Sequence, residues 1–581
     1  VLRFIALLAL FSLPTTLHGQ KPIVPPLREV RAVWVTTAAG LDWPRSTSRG
    51  DQISSLTDMV KDLHAAHFNT IYFQARARGD AYYRSELEPW ADNLTGTLGK
   101  DPGWDPLAEL LRLAHDRGME VHVWFNVFKV RDGRQVPSSA PPHPSRSLAA
   151  WTVNFEGEGW LDPGIPAVRE YLVTVAIDLV SRYDVDGINF DFIRYPGKTF
   201  PDDAAYRQFG QGMDRSAWRR QNVTGFLRTF VERARQVKPH LKIGCSPLGV
   251  PEETPLGSQT TARIAFAQDA REWLRTGLVD YASAQIYWDI GSSFRDPDFA
   301  AVARSWRVAS PQRQVVAGIG AYKSEVRAQL RAQIDSARAA GVAGQAFFRL
   351  ENIRPLSILG NRYASAALVP QMPWLDSLPP SPPQQFSSSE LSANVFLLEW
   401  TLSPPAADGD SARFYAVYRQ PEGSAQDSST RIALLPSPST SFVDTIRGPS
   451  ALHYQYEVRA LDRLWNESRP AEVRTAMMQD VLALRQKVRQ RNSLSTSLAG
   501  PAGLPSLAAY ALEQRDSVRL ELVLRRPGQP DSTVARLVDR DQDPGTYVVG
   551  LQQVGFVPGV YVLRLTAGVS ALEQLLIVRR Q

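Results

Sequence analysis

The chain has 581 residues, of which 44% are hydrophobic and 21% charged, with a formal net charge of +6. That length and apolar content accommodate three or four domains with sizeable cores and exclude a disordered chain. The basic surplus forms no Lys/Arg block and no aromatic-interleaved stripe, so nucleic acid is not an expected partner.

In chain order, Arg3 precedes the apolar run FIALLALFSL, Pro14 and TTLHGQ. This layout resembles a secretory signal peptide over residues 1–20, and the protein is expected to be exported to the periplasm, the cell surface or the medium. The run is short for a membrane span, and no later segment offers about 18 consecutive apolar residues. Cys245, in KIGCSPLGV, is the single cysteine. No disulfide can form within the chain, a thiolate zinc site is excluded, and Cys245 reads as a small buried hydrophobe.

Eight short β-branched and aromatic runs come next: RAVWVTT (31–37), NTIYFQAR (69–76), EVHVWFNVF (120–128), DGINFDFI (186–193), LKIGCSP (241–247), VDYASAQIYW (279–288), QVVAGIGAY (314–322) and GQAFFRL (344–350). Helical segments separate them. In DQISSLTDMVKDLHAAH, Ile53, Leu56, Met59, Val60 and Leu63 form a stripe with a 3.6-residue period. DPLAELLRLAHDRG opens on Asp105 as N-cap with Pro106 at the first helical position, and stops at Gly118. SILGNRYASAAL is expected to supply the last helix. Several strands are almost continuously apolar, which requires cover on both faces. The pattern predicts an α/β fold, a (β/α)8 TIM barrel over residues 28–370. A doubly wound open sheet is the alternative, but TTAAGLDWP after the first strand is not a Gly-rich phosphate turn.

Barrel chemistry sits at the C-terminal strand ends. Those ends collect Asp42 and Trp43; Arg76, Arg78, Asp80, Tyr82, Tyr83, Glu86 and Trp90; Trp124, Asn126 and Lys129; and Asp191, Arg194 and Tyr195. The later strands add Ser246, Glu252 and Glu253; Gln285, Tyr287, Trp288 and Asp289; Tyr322; and Arg349 and Glu351. Aromatic faces, amides and carboxylates together suit a sugar polymer, because glycosidic cleavage needs one acid for the leaving oxygen and a second carboxylate to attack or to activate water. Taken singly, each aromatic also reads as packing, Asp42 and Asp80 as turn residues, and His122 as a core histidine. Asp191, in DVDGINFDFIRYPG, ends a segment otherwise committed to burial, with Arg194 as the candidate partner keeping it ionised. No HExxH or paired-His spacing occurs, so neither a catalytic metal nor a cofactor is expected.

REVRAVWVTTAAGLDWP, NTIYFQARARGDAYYRSELEPW, GKDPGWDPLAELLRLAHDRGMEVHVWFN, WLDPGIPAVREYL, DGINFDFIRYP, KIGCSPLGV and VDYASAQIYW resemble, in order, the glycosyl hydrolase-like family 10 of exported bacterial barrel proteins. The resemblance spans residues 28 to 370. It implies a glycoside hydrolase acting on cell-wall or related glycans, with peptidoglycan strands lacking stem peptides as the substrate class. It also implies that Asp191 is the strand-four carboxylate and that Asp80, Asn126, Gln285, Tyr287 and Trp288 line the same cleft. Two positions depart from the family pattern: Phe192 stands where a second acid often follows, and Val127 where Pro usually follows the strand-three Asn. Chitinase-type barrels carry DGxDxDxE on strand four; Asn189 and Ile193 occupy two of its acidic positions here, which argues against that substrate-assisted chemistry.

QMPWLDSLPPSPPQQ then forms a Pro-rich linker, assigned to residues 371–385. FLLEWTLS, RFYAVYRQ, RIALLPS, TSFVDT and HYQYEVRALD predict a β-sandwich over 386–476 that resembles a fibronectin type III domain, with Tyr454 or Tyr456 placed for a tyrosine corner. MQDVLALRQKVRQRNS bridges to VRLELVLRRPG, STVARLVDR, GTYVVGL, GVYVLRLTAG and LLIVRRQ, a second all-β sandwich over 495–581 that resembles the Ig-like C-terminal sorting domains of surface proteins. The expectation is therefore an exported glycoside hydrolase with a polysaccharide substrate. Asp191 is its nucleophile or base, and one of Asp80, Asp289, Glu252 or Glu351 its acid. The expected substrate contacts are Asp42, Trp43, Arg76, Tyr82, Trp90, Trp124, Asn126, Arg194, Tyr195, Gln285, Tyr287 and Trp288. A glycan-binding surface protein without catalysis and a hydrolase of another exopolysaccharide are the rival readings.

Overall fold

The structure is a computed structural model that describes residues 25–133, 135–251, 261–291, 297–392, 395–421, 430–446, 453–471, 474–477, 493–496, 507–526, 529–551 and 557–578. The leader over residues 1–20, Glu252 and most of the MQDVLALRQKVRQRNS segment lie outside the described residues. No helix among those described is long and apolar enough to cross a membrane.

Eight parallel strands close into a barrel: β1 (Val30–Val35), β2 (Thr70–Arg76), β3 (Glu120–Asn126), β4 (Gly187–Asp191), β5 (Lys242–Cys245), β6 (Tyr281–Gln285), β7 (Gln314–Ile319) and β8 (Gly344–Phe347). Each coincides with one of the eight apolar runs, β1 beginning one residue before its run. The open-sheet alternative is excluded because β1 pairs both with β2, at Ala32↔Thr70, and with β8, at Val30↔Gly344. Closure depends on a backbone contact at Gly344, whose φ is +154°. A Cβ there would sit 2.0 Å from the Val30 carbonyl oxygen. Gly344→Ala is therefore expected to destabilise the barrel by about 3 kcal/mol, because the clash is with backbone that cannot swing away; chemical denaturation measures it.

Helices Arg49–Ala65, Pro106–His115, Pro166–Arg182, Arg215–Val237, Phe299–Ala309 and Leu330–Ala340 pack their apolar stripes on the outside of the strands. Asp105 caps its helix as expected, accepting from the Ala108 N–H at 3.0 Å. The expected final helix is instead a 3-10 segment, Leu356–Tyr363, because Gly360 breaks it with φ +59°. After β3 the chain makes a small antiparallel sheet from Lys129–Arg131, Thr152–Phe155 and Glu158–Leu161, which the sequence pattern does not predict.

Inside the barrel the residues are large and partly polar. Glu120 Oε1 accepts from Lys242 Nζ at 2.5 Å, His122 bridges Glu120 (3.0 Å) and the Tyr281 hydroxyl (2.6 Å), and Tyr72 accepts from Ser283 at 2.9 Å. His122 is thus a satisfied core histidine. Cys245 is buried, and burial pushes its thiol up.

Beyond the barrel, sheets of three strands (Gln384–Ser392, Val395–Thr401, Ser441–Thr445) and four strands (Arg431–Pro436, Phe414–Pro421, His453–Leu461, Arg474–Met477) share a core. The Tyr456 hydroxyl donates to Asp444 at 2.6 Å. A further pair of sheets, of three and four strands, is built from residues 494–578. The first of these all-β units stands against the N-terminal mouth of the barrel. Its Phe414, Leu461 and Trp465 join the barrel's inward-facing Trp34, Tyr72 and Trp124 in one apolar cluster.

Candidate active site

The C-terminal strand ends surround a cleft of about 410 Å3. Its floor and walls are Trp34 from β1, Gln74 from β2, Trp124 and Asn126 from β3, Asp191 from β4 and Gln285 from β6. Loop residues Arg78, Lys129, Asp132, Phe192, Arg194, Tyr287, Tyr322 and Phe348 complete it. Asn126 and Asp191 are register partners on adjacent strands, so both side chains emerge at the same level. Tyr287 stacks on Phe348 at 5.7 Å and 27°, and Tyr322 meets Tyr287 edge-on, giving the cleft an aromatic wall.

Asp191 Oδ1 accepts from the Phe192 N–H at 2.7 Å and from Gln285 Nε2 at 3.3 Å. Gln285 is itself tied to the Ser246 carbonyl at 3.0 Å. The Trp124 indole N–H is directed at the same carboxylate but outside hydrogen-bond geometry. Burial is the dominant influence on Asp191 and pushes its carboxyl up to about 6, against the Phe192 N–H, the Arg194 charge and the side-chain donors. With Oδ1 facing two donors, any proton on this group resides on Oδ2. Phe192 adopts a left-handed backbone (φ +48°), which is uncommon for a bulky residue and brings its N–H back onto Asp191.

Asn126 donates to the Ala77 carbonyl at 2.6 Å, while its buried Oδ1 accepts nothing. Arg194 lies over the rings of Trp160, Phe192 and Phe266 at 5.0–5.5 Å and, among the described residues, holds no salt bridge. Asp132 is salt-bridged on the wall to Arg78 Nε (2.7 Å) and Lys129 Nζ (3.2 Å).

The structure thus brings together Asp191, Trp124, Asn126, Arg194, Gln285 and Tyr287 of the expected site. It places the rest elsewhere, each for a visible reason. Asp80 is buried behind the wall, accepting from the Arg78 N–H at 2.8 Å, and burial raises its carboxyl. Asp289 lies past β6 outside the cleft lining, and Trp288 packs on the outer core. Glu351 bridges Arg45 and Arg354 beside a separate groove that also holds Asp42 and Trp43. There Asp42 accepts from Arg349, and Trp43 packs on Phe73 and Trp104. Arg76 is fully buried in a bidentate pair with Glu88 and donates to the Asn126 carbonyl, so it braces the end of β3 from behind. Tyr82 donates to Asn93 Oδ1 at 2.7 Å with the Thr37 carbonyl 3.0 Å from the same hydroxyl; Trp90 is core; the Tyr195 hydroxyl accepts from Asn222.

Asp132 and the cleft-facing Trp34 line the cleft without belonging to the site expected from the sequence. Trp34 was findable from the in–out alternation of β1. Asp132 was not, because it comes directly after the unanticipated strand Lys129–Arg131.

The family model described as Glycosyl hydrolase-like 10 matches residues 29–334. Glycosyl hydrolase YngK of Bacillus subtilis (strain 168) is 31% identical over 478 residues, covering 77% of this chain and 93% of its own. Glycosyl hydrolase DigH of Escherichia coli (strain K12) is 33% identical over 345 residues, covering 54% of this chain and 78% of its own. A solved structure, the PgaB (BpsB) glycoside hydrolase domain from Bordetella bronchiseptica, aligns with 58% of this chain and 98% of its own at 15% identity and a TM-score of 0.39.

Proposed function

The chain belongs to the glycosyl hydrolase-like 10 family and is a glycoside hydrolase, and from that premise we propose that it cleaves peptidoglycan strands lacking stem peptides, with Asp191 as the proton-transferring carboxyl. The observation that carries this reading is the half-buried carboxyl at the end of β4, raised to about 6 and presenting one undonated oxygen to an aromatic-walled cleft. A carboxyl so placed is the general acid for the leaving oxygen, and Asp132, the other described carboxylate lining the cleft, is its partner, salt-bridged to Arg78 and Lys129. This assignment gives Asp191 the acid role in place of the nucleophile or base expected from sequence.

Two further groups support the substrate class. Asn126 lines the cleft with an amide whose oxygen has no donor of its own, a group suited to a sugar hydroxyl. Arg194, with no salt bridge among the described residues, suits the lactyl carboxylate that a muramyl residue exposes once its peptide is gone. The apolar run after Arg3 supports export, and the three- and four-stranded sheets after the barrel support a fibronectin type III-like spacer followed by an Ig-like unit.

The test is digestion of purified glycan strands after amidase treatment, beside intact peptidoglycan and an unrelated exopolysaccharide, with chromatography of the products. Soluble fragments are expected from the stripped strands first. Release only from the other polysaccharide would move the substrate assignment, and binding without release from any polymer would overturn catalysis.

A further inference from the structure

We propose that Asp376, Asp410 and Asp462 form a calcium site that fastens the segment leaving the barrel to the first sandwich. The three come from separate pieces of chain: Asp376 from the linker, Asp410 from the turn before Phe414–Pro421, and Asp462 from the residue after His453–Leu461. One carboxylate oxygen from each lies within 4.8 Å of the others.

Proximity of acids alone would mean little, and a second observation points to a ligand. Asp462 is 1% exposed. Its Oδ1 accepts the Leu464 and Asn466 N–H groups at 2.7 and 2.9 Å, whereas Oδ2 is sealed from solvent and accepts no hydrogen bond. The unfilled acceptor of a buried carboxyl is thus left for the cluster. Asp376 takes the Leu378 N–H and Asn466 Nδ2, and Asp410 the Ser411 N–H, all uncharged donors. Among the described residues no Lys, Arg or His forms a salt bridge with any of the three. A buried carboxylate beside two more anions, with no countercharge, is costly unless a cation sits among them.

The donor chemistry selects the ion. All three ligands are carboxylate oxygens, which suits a hard cation. Calcium accepts six to eight oxygens at about 2.3–2.6 Å in irregular geometry, as loops from three separate pieces of chain supply, whereas magnesium demands near-ideal octahedral geometry and keeps most of its waters. Bound calcium would tie the linker to two loops of the sandwich and leave the cleft at the far end of the barrel untouched.

Full-length protein stripped with EGTA is titrated with CaCl2 and monitored by thermal denaturation and calorimetry. The expected result is a saturable rise in Tm of several degrees, half-maximal at about 10⁻⁴–10⁻³ M, with a smaller effect of MgCl2. Asp410→Asn, at an exposed position, is expected to weaken calcium binding at least tenfold. Asp462→Asn is expected to abolish the shift, while its metal-free Tm equals or exceeds that of wild type because a repelling charge has gone. No calcium-dependent shift in wild type, or a full shift retained in Asp462→Asn, would overturn the site.

Discussion

Asp191→Asn lowers kcat/KM on stripped glycan strands by about 10²–10⁴-fold, the range expected for loss of a general acid, while substrate still binds. Asparagine preserves the shape of the carboxyl and can still accept from the Phe192 N–H and Gln285 Nε2 through its oxygen, so the cleft survives without its transferable proton. The pH dependence has its origin in the same burial. As the acid, Asp191 is active while protonated, so wild-type kcat/KM falls as pH rises through about 6. Loss of activity below that value instead would assign Asp191 to the base or nucleophile role and leave the second carboxyl to donate. Stability has its own sign. The folded protein holds this carboxyl at about 6 rather than the ordinary 3.8, so the folded state disfavours its ionisation. Destabilisation begins as pH rises above 3.8 and is complete above about 6, reaching at most about 3 kcal/mol. Asp191→Asn removes it, so the inactive variant should melt at or above the wild-type temperature at pH 7. Stability sacrificed for a partly desolvated reactive group is a frequent property of active sites. Circular dichroism melts at pH 4 and 7 measure the difference.

Trp465→Ala destabilises the whole molecule by about 3–5 kcal/mol, the loss of a large buried aromatic with incomplete collapse of the space it leaves. Trp465 is 2% exposed, stacks on Phe414 at 5.2 Å and 7°, and donates its indole N–H to Glu120 Oε1 at 2.5 Å inside the barrel mouth. Around it Arg413 reaches Asp186 at 3.5 Å, Arg463 pairs with Asp184, and Arg28 reaches Glu467 at 3.3 Å. The sandwich therefore closes the N-terminal end of the barrel, where Glu120, Lys242 and His122 would otherwise meet water. Calorimetry of wild type should show barrel and sandwich unfolding in one transition. In Trp465→Ala the transition moves down and splits, because the remaining Phe414 and Leu461 contacts and the surrounding ion pairs couple the two more weakly. A single unshifted transition would show that the contact is dispensable.

The segment DVDGINFDFIRYPG shows how far local pattern reaches. Its alternation identifies β4, and barrel logic places Asp191 at the catalytic end. The same segment contains Asp184, which anchors the sandwich at the opposite end through Arg463 and Arg413. Nothing in the sequence assigns that partner, because it lies 279 positions away. Asn126, Gln285, Trp124 and Tyr287 were legible for the same reason as Asp191: they terminate strands, or come directly after them, where the backbone dictates which way a side chain leaves. Trp43, Tyr82, Trp90 and Tyr195 share their chemistry but lie within or behind loops, and Arg76 ends β2 yet lies outside the cleft lining; the fold satisfied them with internal partners such as Glu88 and Asn222.

By itself, the sequence determined the eight-stranded barrel, the all-β character of the C-terminal third of the chain and the carboxyl at the end of β4, because hydrophobic period and strand ends are local properties of the chain. Only the tertiary structure decided that Asp132 rather than Asp80, Asp289 or Glu351 shares the cleft lining with Asp191, that Trp465 plugs the barrel, and that three distant aspartates converge. Those are pairings between segments far apart in sequence, and which polar group finds a partner there depends on burial and distance.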